Sequence, residues 1–135
     1  MSTQIAAKLQ AEVLGFLITA DWVSAEASAR RITVSRPEVT RTFDRIRAQQ
    51  FPKRREFNRF LLRSGQTVAD LLLRVEQTLL SARIERAVIA GQHTQAGRTR
   101  AISTFVKSFH ARWLAQTYCA TEFASTDCGH VQPVL

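Results

Sequence analysis

Glycine is scarce in this chain, at 5 of 135 residues. With so few, the sequence has no phosphate-cradling loop of the P-loop or dinucleotide type. Long apolar runs are missing too. The most apolar stretch, Ile5 to Val23, is interrupted by Lys8, Gln10, Glu12 and Asp21, so nothing reaches the ~18 uninterrupted apolar residues of a membrane helix. The same stretch lacks the basic and apolar regions of a signal peptide, and no export signal is expected. Alternating strand patterns of useful length and internal repeats are absent. Lysine is nearly absent at 3 residues, and only 3 histidines occur.

What remains is a single-domain length with ordinary globular composition, 45% hydrophobic and 22% charged. The net charge is +8 and the isoelectric point about 11.0, almost all from arginine. A basic domain points toward nucleic acid or an anionic surface. Here the arginines are spread from Arg30 to Arg112, with no run longer than Arg30-Arg31 or Arg54-Arg55. A solvated basic surface accounts for them better.

The periodicity predicts an all-α fold of about five helices. The first runs from Thr3 to about Arg30, with Ile5, Leu9, Val13, Phe16, Leu17 and Val23 inward and Trp22 adding bulk. After the β-branched Ile32-Thr33-Val34, Ser35-Arg36-Pro37-Glu38 supplies an N-cap, a proline in the first turn and a glutamate three residues on. That helix buries Val39, Phe43 and Ile46 and ends near Gln50, because Phe51 precedes Pro52. The third, Lys53 to Arg63, turns Phe57, Phe60 and Leu61 inward. Gly65 then sits where a helix end needs a left-handed residue, and Thr67 with Asp70 forms a capping-box spacing. The fourth helix, to about Ala90, carries Leu71, Leu72, Val75, Leu79, Ile84 and Val88 as its stripe. Gly91 to Gly97 reads as a polar linker. The fifth runs from about Arg98 to Gln116, with Ile102, Phe105, Val106, Phe109, Trp113 and Leu114 on a wide apolar face. Residues 1–117 thus form a helical domain, and residues 118–135 an irregular tail.

Few groups carry chemistry. Cys119 and Cys128 lie in that tail. A disulfide, two free thiols, and a metal site with His130 are the three readings. Structural zinc wants four ligands, and a fourth is not at hand. His93 and His110 have no neighbouring carboxylate and nucleophile in a triad arrangement. No catalytic residue, metal or cofactor is assigned. Ser35 to Arg47, with Arg36, Arg41, Arg45 and Arg47, has the basic content of a helix-turn-helix, but its flanking segments fit that joint poorly. The aromatic residues at helical spacing are core-forming first, and a subset of them is suited to an apolar groove.

Taken in order, the landmarks resemble the non-catalytic helical region of PrsA/SurA-type extracytoplasmic foldases. These are Phe16-Leu17-Ile18 with Trp22 and Glu26; Val34-Ser35 to Glu38-Val39; and Phe43. They continue with Phe51-Pro52-Lys53, Phe57, Phe60-Leu61, Ser64-Gly65, Asp70-Leu71-Leu72 and Arg74-Val75. Leu80-Ser81, Phe105-Val106-Lys107, Phe109, Trp113, Cys119 and Asp127-Cys128 complete the set. The family carries a parvulin-type prolyl isomerase domain where this chain has only Gly91 to Gly97. Its leader, first strand and first helix have no counterpart before Thr3. The resemblance therefore implies a chaperone-like scaffold without isomerase activity, its N-terminal helices packed with a returning C-terminal helix; the alternative it implies is a remnant or accessory part of a peptidyl-prolyl isomerase that acts with a catalytic partner. It implies a cell-envelope location, in which the cysteines would be bonded. The expected partners are unfolded or partly folded polypeptides, with nucleic acid disfavoured. The residues expected to bind peptide are Phe51, Phe57, Phe60, Phe105, Phe109 and Trp113.

Overall fold

The computed structural model describes residues 3–121 and 126–132. Among them are five helices and two short strands: α1 (Thr3–Ala29), α2 (Arg36–Gln50), α3 (Arg54–Ser64), α4 (Val68–Ile89), α5 (Gln95–Leu114), β1 (Tyr118–Ala120) and β2 (His130–Gln132). The fold is mostly α, as the periodicity predicts. It divides into two compact units. The first comprises Met1–Glu26 with Glu85–Leu135, and the second Ala27–Ile84.

Local chemistry explains the helix ends. The Ser35 hydroxyl accepts from the Glu38 N–H at 3.3 Å and opens α2. Gly65 closes α3 at φ +69°, with its N–H on the Leu61 carbonyl. At α4 both arms of the capping box form. The Thr67 N–H donates to Asp70 Oδ2 at 2.9 Å, and the Asp70 N–H donates to Thr67 Oγ1 at 3.1 Å. The Thr67 backbone N–H, then its hydroxyl, then the Arg74 guanidinium hold the Asp70 carboxyl below its ordinary range.

Several expectations are corrected. The Gly91–Gly97 linker is shorter than its composition suggests. Thr94 is the N-cap of α5, accepting from the Gly97 N–H at 2.9 Å, so Gln95-Ala96-Gly97 already form the first turn. The tail is not wholly irregular: β1 and β2 pair in parallel, with Cys119 opposite Val131. The buried face of α1 is also a different one. Leu9, Val13 and Leu17 are exposed, whereas Ile18, Trp22 and Glu26 are buried. The helix is apolar on two sides, and the side bearing Trp22 is the one that meets the aromatic face of α5.

In the first unit α5 does return onto α1. The Trp22 and Phe109 rings meet edge to face with centroids 6.1 Å apart. Ile18, Trp22 and Cys119 form the buried centre, with Leu14, Trp113, Leu114 and Cys128 packed against it. Cys119 and Cys128 are joined in a disulfide. Both sulfurs are thereby used, which removes the free-thiol and metal readings. Gly129 passes so close to the end of α5 that an added Cβ would stand 1.8 Å from the Leu114 carbonyl oxygen. Only glycine fits there without moving backbone.

In the second unit Val39 and Phe57 are buried. Phe57 lies 6.0 Å from Phe43 and 5.8 Å from Phe51, and Phe51 lies 5.0 Å from Phe60, between ring centroids. Each such pair contributes about 0.5–1.5 kcal/mol beyond its burial. Arg83 of α4 donates to the Glu38 carboxylate and to the Thr33 carbonyl, tying α4 to the start of α2. Ile46, expected inward, is 36% exposed. Leu80 and Ile84 mark the buried face of α4. The other apolar residues of its expected stripe are half-buried.

Candidate functional site

Each unit holds an open cleft lined in part by aromatic rings. In the first unit the cleft lies between α1 and the segment that leaves α5, with a volume of about 490 Å³. Leu14, Ile18 and Trp22 stand one turn apart on α1 and supply one wall. Trp113, Thr117 and β1 supply the other. This is within the range of small-ligand clefts, roughly 300–1,000 Å³.

A chain of hydrogen bonds fixes those walls. The Trp22 indole N–H donates to Thr117 Oγ1 at 2.7 Å, and the Thr117 hydroxyl donates to the Trp113 carbonyl at 2.6 Å. The Trp113 indole N–H donates to Glu26 Oε1 at 3.0 Å. The Glu26 side chain is only 4% exposed, and Arg112 Nη1 lies 3.8 Å from the same oxygen. The buried carboxylate is thus both hydrogen-bonded and near a cation, as a buried charge requires. Bonds of this kind to a charged group are worth about 1.5–3 kcal/mol each. At the edge of the cleft, Tyr118 stacks on His130 at 4.4 Å between centroids, and His130 Nε2 lies 2.9 Å from the Ala115 carbonyl.

The cleft of the second unit is larger, about 710 Å³. Phe43, Phe57, Leu61 and Val68 form its apolar lining, and Asp44, Arg47, Arg54 and Asn58 its polar one. Arg47 is anchored by a 3.5 Å hydrogen bond to the Phe51 carbonyl.

The six residues expected to bind peptide therefore fall into two groups. Phe51, Phe57 and Phe60 gather in the second unit, where Phe57 lines the cleft and the other two back it. In the first unit Trp113 lines the cleft, while Phe105 and Phe109 stack on each other at 5.4 Å outside its wall. Trp22, Asp21, Tyr118 and Arg54 belong to the clefts and were not among the expected residues. The Leu14–Ile18–Trp22 spacing was the available signal for the first cleft. Its convergence with Thr117, 95 positions away, was not legible.

His110 Nε2 is 3.8 Å from Asp127 Oδ1, too far for a hydrogen bond, and its ring packs edge-on against Trp22. Among the described residues no group of three His, Cys, Asp or Glu side chains could hold a metal ion. Comparison with protein families, with curated proteins and with solved structures returns no match.

Proposed function

We propose that this chain is a chaperone-like protein that binds unfolded or partly folded polypeptides and catalyses nothing, a parvulin-less relative of the PrsA/SurA-type foldases. The observation that carries the reading is the open, partly aromatic-lined cleft in each unit. Apolar clefts with a few polar groups at the edge suit chain segments that present side chains in an extended form. A second feature supports it. Leu9, Val13 and Leu17, spaced four apart on α1, are 46%, 58% and 47% exposed. Apolar exposure aligned on one helix side suits an interaction surface.

The place of action in this reading is the cell envelope. The disulfide is compatible with an oxidising compartment. Among the described residues no helix is long and apolar enough to cross a membrane.

The test is suppression of aggregation of a chemically unfolded client. Suppression near equimolar ratio is the expected outcome, and no effect at stoichiometric excess overturns the proposal. A proline-peptide isomerisation assay on the same preparation should show no acceleration over the uncatalysed rate.

A further inference from the structure

We infer that the cleft of the first unit takes a lysine or arginine side chain of an extended polypeptide. This rests on the polypeptide-binding reading above and names what that cleft selects. Both indole N–H groups in its walls are spent on internal hydrogen bonds, Trp22 on Thr117 and Trp113 on Glu26. An occupant therefore meets no free indole N–H, and the half-buried Trp113 offers it ring surface. Ring surface with no free N–H favours aliphatic stems and cations over acceptors.

The protein already demonstrates the second preference. The Arg112 guanidinium sits 4.7 Å from the centroid of the Trp113 ring. Arg112 is not part of the cleft wall, whereas Trp113 is.

Charge points the same way. The chain carries 19 basic residues and a net charge of +8, yet the one charged residue lining this cleft is the carboxylate Asp21. Asp21 is exposed and makes no ion pair among the described residues. The cleft of the second unit contrasts with it, since its rim carries Arg47 and Arg54 against Asp44. A lysine or arginine stem laid on the half-buried Trp113, beside the buried edge of Trp22 and with its head at Asp21, uses the aromatic wall and the one charged group of the first cleft. Tyr118, 62% exposed, borders the same opening and can accept from the head group.

Trp22 and Trp113 are the only tryptophans in the sequence, so intrinsic emission reports on this cleft directly. The probes are short unstructured, tryptophan-free peptides with one central lysine, norleucine or glutamate, and butylammonium alone. The lysine peptide should change the emission saturably. The norleucine peptide should bind about 5-fold more weakly or worse, as loss of the cation–π and ion-pair contributions requires. The glutamate peptide should bind weakest. Asp21→Asn should weaken the lysine peptide about 3-fold or more and leave the norleucine peptide unchanged. Equal binding of all three peptides overturns the inference while the chaperone reading stands on the aggregation assay. Butylammonium binding as tightly as the lysine peptide also overturns it, since the occupant would then be a free amine. If no peptide changes the emission the inference falls, and if client suppression fails too, both readings fall. Should Asp21→Asn not fold, the lysine–norleucine comparison on the unaltered protein decides alone.

Discussion

Arg31 shows how a single residue can hold a conformation its side chain disfavours. It lies just past α1 at φ +58°, the one non-glycine residue with positive φ among those described. The Ile32 N–H returns to the Ala27 carbonyl at 2.8 Å, and the Arg31 N–H to the Ser28 carbonyl at 3.1 Å. That pair of bonds is the Schellman ending, whose left-handed position normally belongs to glycine. A β-carbon there costs about 1–2 kcal/mol, partly offset because glycine gains more freedom on unfolding. Arg31→Gly should therefore stabilise the protein by about 0.5–1 kcal/mol. Urea unfolding followed by far-UV circular dichroism should show a higher midpoint at unchanged slope. A lower midpoint would mean that the Arg31 side chain contributes more than the strain removes.

At the scale of elements, helices whose ends carry their own chemistry were legible. Ser35 before Pro37, Gly65, and Thr67 with Asp70 set boundaries that the structure reproduces to within a residue. The start of α5 was not legible, because Gly97 looks like a break until Thr94 is seen to cap the turn containing it. The buried side of α1 was hidden because both its sides are apolar, and only the arrival of α5 chooses between them. Of the first cleft, Trp113 was legible and Asp21 was not, since a carboxylate acquires its role from the walls around it.

The β1–β2 pair was hidden for a different reason. Three residues per strand leave no alternation to read. Parallel strands ordinarily need a connection of a dozen or more residues, whereas these are joined by residues 121–129. A disulfide spanning nine positions closes the loop, and Gly129 itself lies against Leu114. Closing a loop of this size should stabilise the folded chain by about 2.5–3 kcal/mol. Reduction, or Cys128→Ser, should lower the stability by that amount. It should also red-shift the tryptophan emission, because Cys119 shares the buried centre with Trp22. Denaturant melts with and without reductant measure both effects. Coincident melts would show that the tail is held by its packing alone.

At the scale of the whole molecule the net charge of +8 invites a nucleic-acid reading, and the geometry of α2 bounds what it can deliver. Arg36, Arg41, Arg45 and Arg47 all lie on this helix. At ~100° per residue Arg36 and Arg47 share one side and Arg41 and Arg45 the opposite side. A duplex laid against either side meets two of them. Two phosphate contacts give a salt slope of about −1.8, so affinity for duplex DNA should fall only about 12-fold between 50 and 200 mM salt. Dedicated binders making many more contacts lose about a thousand-fold or more over the same range. Arg47 is also committed to the Phe51 carbonyl and to the rim of the second cleft. The expected outcome is therefore weak binding without sequence preference, measured by fluorescence anisotropy across a salt series. A slope steeper than about −4, or discrimination between duplexes at physiological salt, would mean that arginines from several elements converge on one surface. That would displace the polypeptide reading in favour of a nucleic-acid one.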